Sequence, residues 1–164
     1  MNLDTLISSN AVFSNNDIKS KKRALEQLAE HLANEANRNI QQAEDNIDAL
    51  DIFQLLIERE KLGSTSMGHG VALPHTRTRL TKHAIGAFLK LDEGIDFDSP
   101  DEQKTDLIFA LMVPEHYTDE HLKILSHLAS LFNNANFCKA IRNSSDNNEI
   151  YKHLVNWQLT SQAS

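Results

Sequence analysis

Leu107-Ile108-Phe109-Ala110-Leu111-Met112-Val113-Pro114 is the stretch on which the fold turns. Eight uncharged apolar residues are far fewer than the ~20 that a membrane-spanning helix needs, and a proline ends the run. Both parities are apolar, which predicts a strand buried on both faces rather than one with a solvent side. Such a strand needs neighbours on its edges and cover above and below. The segment Ala84 to Leu91 supplies one neighbour: Ile85, Ala87, Leu89 and Leu91 fall on a single parity. Val71 to Leu73 is a shorter strand candidate, and Asn10 to Ser14 is a candidate edge strand.

Helical spacing surrounds this centre. Ala24, Leu25, Leu28, Ala29 and Leu32 recur at three and four after Ser20, predicting a helix over 21–33 with Ser20 as its cap. Leu50, Phe53, Leu56 and Ile57 make a second stripe, stopped at Gly63 after Arg59, Glu60 and Lys61. Between them, Asn34 to Asp48 is too polar to bury much and reads equally as a loop or a solvated helix extension. Leu122, Leu125, Leu128, Ala129 and Phe132 form a third stripe, for which Thr118 is the expected cap. Shorter helices follow at 137–142 and 150–157, the last after Ser145 or Asp146. The expected fold class is therefore α/β, a single sheet flanked by α-helices.

Length and charge narrow the function. A chain of 164 residues suits one domain, 1–164, with a folded core over about 5–157 and a frayed tail at 158–164. Sixteen Lys and Arg against 23 Asp and Glu leave a net charge of −7, the wrong sign for tracking a phosphate backbone, so no nucleic-acid partner is expected. One cysteine, Cys138, permits no internal disulfide and points to a reducing, cytoplasmic setting. Met1 to Phe13 has no basic cluster ahead of an apolar run, so neither a leader nor membrane insertion is expected.

Chemistry concentrates between Arg59 and Arg77, where Gly63, Gly68 and Gly70 are three of the chain's five glycines. Glycines let a backbone turn sharply and present N–H groups to an anion, so Gly63, Ser64, Thr65, Gly68 and Gly70 are candidate phosphate-loop residues. The nucleotide loop G-x-x-x-x-G-K-[ST] is absent, because His69 and Gly70 follow Gly68. The hydrolase elbow G-x-S-x-G fails too, because Ser64 stands two places before Ser66.

His75 follows Pro74, which restricts the local backbone and aims the imidazole. A neutral imidazole is a nucleophile near pH 7 without a separate base; the same position also suits a histidine that closes a strand end by a hydrogen bond. His121 falls in the first turn of the third predicted helix, either a donor to an anion or a surface histidine. Arg59 is either an anion clamp or a cation that ends a helix favourably. Metal ligation by His69, His75, His116 or His121 lacks support: there is no H-E-x-x-H and no cysteine pair.

Together, Arg59-Glu60 with Leu62-Gly63-Ser64-Thr65, then Gly68, Gly70, Ala72, Pro74 and His75, followed by Leu107 to Pro114 and His121-Leu122, resemble the fructose/mannitol-type IIA phosphocarrier family of the bacterial phosphoenolpyruvate:sugar phosphotransferase system, especially its nitrogen-regulatory branch. The resemblance spans most of 5–155. Ser66 stands where that family usually has Gly, and Asn34 to Asp48 is longer and more polar than its pattern.

The resemblance implies a mixed sheet flanked by helices. It implies that His75 is phosphorylated by a small HPr-like histidine carrier, with His121 holding the phosphoryl group and Arg59 in the site, and with no cofactor and no metal. It also implies regulatory targets in potassium transport or sensor kinases. Three functions follow as expectations: a regulatory phosphocarrier, a sugar-specific IIA component passing phosphate to a separate IIB protein, and a non-catalytic binding module. Met67 and Leu73 are the expected apolar patch around the reacting centre.

Overall fold

The computed structural model describes residues 2–38 and 46–158. Short 3-10 turns at Leu3–Thr5 and Ser9–Ala11 lead into β1 (Val12–Ser14). Next come α1 (Lys21–Asn37), α2 (Ala49–Lys61), β2 (Ser66–Gly68), β3 (Val71–Ala72) and β4 (His75–Thr78). The chain continues through β5 (Ile85–Ile95), β6 (Thr105–Pro114), α3 (Asp119–Phe132), α4 (Ala135–Arg142) and α5 (Asn147–Asn156).

The apolar run is β6, and every residue from Leu107 to Pro114 is buried. On one edge it pairs antiparallel with β5, Phe88 opposite Phe109 and Ala87 opposite Ala110. On its other edge it carries two short strands in succession, both parallel to it: β3, with Val71 opposite Leu107, and then β4, with His75 opposite Leu111. β1 adds in parallel outside β5 and β2 adds antiparallel outside β3, so the six strands form one mixed sheet. Burial of both parities requires cover on both faces, and the five helices provide it. The buried cluster runs from Leu3 to Leu154 and centres on Phe88, Phe109, Phe132 and Phe137. Gly86 makes room for this centre, because a Cβ there would sit 2.7 Å from the Phe109 ring.

Ser20 and Asp146 cap their helices as expected, Asp48 and Asn134 do so where the sequence reading named no cap, and Thr118 does not. Ser20 accepts from the Arg23 amide, Asp48 from Leu50, Asn134 from Phe137 and Asp146 from Glu149. Thr118 makes no capping bond with its hydroxyl; its own amide donates instead to the Glu120 carboxylate at 3.3 Å. α1 runs to Asn37, past the expected end at residue 33, and the Asn37 side chain then brackets the backbone of Ile47 with bonds of 2.7 and 2.9 Å. The helix-extension reading therefore holds for 34–37, while 39–45 lie outside the described residues, as do 159–164 of the expected tail. None of the helices among the described residues is long and apolar enough to cross a membrane.

β4 departs from expectation. Its buried positions are Thr76 and Thr78, while His75 is partly buried and Arg77 exposed. With no apolar residue to mark its inner face, the strand has no hydrophobic period to read.

Candidate functional site

Two elements bring the histidines together. β4 lies along β6 and lifts His75 from the sheet, and α3 starts just beyond the end of β6, placing His121 in its first turn. Their rings meet edge to face with centroids 5.4 Å apart. The His75 Nδ1 lies 2.8 Å from the Leu73 carbonyl oxygen. A carbonyl only accepts, so Nδ1 carries the proton and Nε2 carries the lone pair. The His121 Nε2 is buried and has no hydrogen-bond partner among the described residues.

Both imidazoles are held neutral. Burial lowers the pKa of His75, the Leu73 bond opposes this, Arg59 pushes it down and Glu60 pushes it up. His121 is pushed down to about 4, first by burial and then by His75 and Arg77. Neutral rings supply a nucleophilic lone pair on one and leave a buried N–H or lone pair on the other, without charge repulsion between them.

Arg59, in the last turn of α2, donates from Nη1 to the Gly63 carbonyl at 2.9 Å. It therefore ends its helix, and its positive charge acts on His75, whose pKa it helps to lower. Arg77 escaped the sequence reading. It stands two residues after His75 on an extended strand, hence on the same face, and donates to the Tyr117 carbonyl at 3.2 Å. That two-residue spacing was the available signal.

The glycine-rich segment has work inside the chain. The Ser64 hydroxyl donates to the Phe97 carbonyl at 2.7 Å and accepts from the Ser66 amide. The Thr65 amide and hydroxyl both donate to the Glu60 carboxylate. Gly68-His69-Gly70 makes the β2–β3 turn with all three residues at positive φ, 83°, 57° and 81°. The Gly68 amide goes to the Ser66 hydroxyl and the His69 amide to the Asp101 carboxylate at 2.9 Å. Gly70 also has to be bare, since a Cβ would fall 2.6 Å from the Arg142 guanidinium. This turn adjoins Leu107 while His75 adjoins Leu111, a separation of ~13 Å along β6. Of the candidate phosphate-loop residues Gly63, Ser64, Thr65, Gly68 and Gly70, only Thr65 is linked towards His75, its carbonyl accepting the Leu73 amide, while Gly68 and Gly70 belong to the distant turn, where the carboxylate on the His69 amide is the chain's own Asp101.

The expected apolar patch also needs correction. Leu73 is buried and Met67 partly so, because β3 and its flank pack inward. Large apolar side chains are exposed instead at Leu62, 84% accessible just past Arg59, and at Leu122, 67% accessible next to His121.

The model of the family described as "Phosphoenolpyruvate-dependent sugar phosphotransferase system, EIIA 2" matches residues 5–157. The chain belongs to that family. Among EIIA 2 relatives, a nitrogen regulatory protein of Pseudomonas aeruginosa is 40% identical over 139 residues, covering 85% of each chain. The crystal structure of the nitrogen regulatory protein IIA-Ntr from Neisseria meningitidis superposes with a TM-score of 0.81 at 36% identity, over 93% of this chain and 98% of that one. The IIA mannitol structure from Escherichia coli shares the fold at a TM-score of 0.68 and 17% identity, over 89% and 96%. The mixed sheet with flanking helices is therefore the EIIA 2 fold, and a phosphotransfer component is its general class.

Proposed function

We propose that His75 accepts a phosphoryl group from the phosphohistidine of a small HPr-like carrier protein, and that the phosphorylated and free forms differ in their binding to target proteins. The observation that carries this reading is the paired site itself: a nucleophilic Nε2 on His75 beside a buried His121 Nε2 that has no partner among the described residues. In the transfer, the lone pair of the His75 Nε2 forms the new N–P bond as the donor's N–P bond breaks, and the bonding pair returns to the donor imidazole. Nδ1–H stays on the Leu73 carbonyl throughout. Charge on the phosphoryl oxygens meets the His121 Nε2–H, in the tautomer that places its proton there, and the nearby Arg59 and Arg77 guanidiniums. The scheme as written calls for no metal and no organic cofactor.

The kinship with nitrogen regulatory proteins favours a regulatory role, with targets of the potassium-transport or sensor-kinase kind, over delivery of phosphate to a IIB protein. Leu62 and Leu122 give a visiting carrier two apolar contacts at the rim, in a cytoplasmic encounter. The test supplies phosphoenolpyruvate, the general phosphotransferase enzyme and the carrier protein. An acid-labile phosphoryl adduct is expected on the wild-type chain and absent in His75→Ala; an adduct that persists in this variant refutes the assignment. Retention of the same lysate proteins by the wild type and by His75→Glu would refute regulation by phosphorylation state.

A further inference from the structure

Glu60 follows Arg59 in α2 yet turns inward, its side chain only 5% exposed. Its carboxylate takes the Thr65 amide at 3.0 Å and the Thr65 hydroxyl at 3.0 Å. Lys21 from α1 pairs with it at 3.2 Å, and Lys21 is itself held by Asp98 at 3.2 Å and over the Phe97 ring at 4.8 Å. A carboxylate this deep stays in place only when its oxygens are fully engaged, and here they are. From Thr65 the connection runs on: its carbonyl accepts the Leu73 amide at 3.1 Å, and the Leu73 carbonyl takes the His75 Nδ1–H at 2.8 Å.

We propose that Glu60 is a positioning residue for phosphoryl transfer: by gripping the amide and hydroxyl of Thr65, it fixes the place from which the Leu73 carbonyl holds His75 as its Nδ1–H tautomer. The role rests on His75 as the phosphoryl acceptor. Two further observations support it. Glu60 lies four residues after Leu56 and eight after Ile52, on the buried stripe of α2, so its inward direction is built into the helix. Its negative charge also opposes that of Arg59 at His75, a smaller influence beside burial and the Leu73 bond. A loosened Leu73 carbonyl would leave the ring free to place its proton on Nε2, the nitrogen that must attack.

The experiment combines nitrogen-15 NMR of the His75 ring with the rate of phosphoryl uptake from the carrier. In the wild type the neutral ring is expected to be protonated on Nδ1. Glu60→Gln is expected to populate the Nε2–H form and slow uptake about tenfold, the usual scale for losing an orienting partner. Ile52→Val, a destabilising change in the same helix, is expected to leave both readings as in the wild type. Thr65→Val, which removes the hydroxyl bond alone, is expected to shift the tautomer ratio in the same direction by less, and it carries the test if Glu60→Gln fails to fold. An unmoved tautomer in a folded Glu60→Gln chain, or in Thr65→Val where Glu60→Gln does not fold, overturns the role of Glu60. Phosphorylation of the wild-type chain elsewhere than on His75 overturns the acceptor reading on which it rests, and that result is visible without any variant.

Discussion

The rings of His75 and His121 stand edge to face, their planes 71° apart, and only one of them has its proton position fixed by the chain. His75 is bonded to the Leu73 carbonyl, while the buried nitrogen of His121 is left unsatisfied. A buried polar atom without a partner costs roughly 1–3 kcal/mol, a cost that the arriving phosphoryl oxygens would remove. On the proposed function, that asymmetry makes His75 the acceptor and His121 the holder.

His121→Ala is expected to slow phosphoryl uptake or shorten the phosphoryl lifetime about 100-fold, the scale for deleting one donor to a developing oxyanion. The melting temperature should stay level or rise, because the deleted nitrogen has no partner to lose. Stopped-flow transfer kinetics beside a thermal melt check both halves, and unchanged kinetics would remove His121 from the site.

Acid should slow uptake at lower pH than it would for an ordinary imidazole, which is half protonated near pH 6.5, because burial lowers the pKa of His75. Stability begins to fall sooner. His31, His75, His121 and His127 all have lowered pKa values in the fold, burial being the largest cause for each. As pH falls below ~6.5 the unfolded chain takes up protons that the folded one refuses, so unfolding becomes easier. For His121 this loss levels off below about 4. Urea midpoints between pH 7.5 and 4 should fall, and His121→Gln should flatten the slope.

Leu62→Ser and Leu122→Ser are expected to leave the melting temperature unchanged, since both side chains are mostly exposed, and together to weaken carrier docking about tenfold. Binding measured by calorimetry or surface resonance decides this; unchanged affinity would move the docking face away from these leucines.

Gly86→Ala is expected to destabilise the fold by about 1–3 kcal/mol, the usual cost of overpacking, because the added carbon meets the Phe109 ring at 2.7 Å. A denaturant melt checks it. The site should still take up phosphate below the new midpoint, since Gly86 lies opposite Leu111 on the β5 side of β6 and His75 on the β4 side.

What could be read beforehand followed hydrophobic period. β6, β5 and the stripe of α1 announce themselves because burial leaves a repeating apolar mark; in α2 and α3 the helices were legible but their buried faces only in part, since Leu50 and Leu122 are exposed while Ile52 and Leu56, and Ile124, Leu128, Leu131 and Phe132, face inward. β4 leaves none, since threonines fill its inner face, and α1 outran its apolar stripe into Asn34–Asn37 because helix hydrogen bonds do not require one. In the site, His75, His121 and Arg59 were legible through proline, helix start and helix end. The job of the glycine-rich segment was not, because its partners, Phe97, Asp101 and Arg142, are distant in sequence. Glu60 was hidden in the charged run Glu58-Arg59-Glu60-Lys61, although its spacing from Ile52 and Leu56 pointed inward.

The Asp101 carboxylate seated on the β2–β3 turn also takes the Ser99 hydroxyl and the Gln103 amide, and its pKa is lowered to about 2 chiefly by these bonds. The His69 amide is thus satisfied from within the chain, by a carboxylate that the 99–103 segment itself holds in place. A turn of three consecutive left-handed residues is thereby pinned to the loop between β5 and β6, so trimming Asp101 would unfasten two neighbouring connections of the sheet at once.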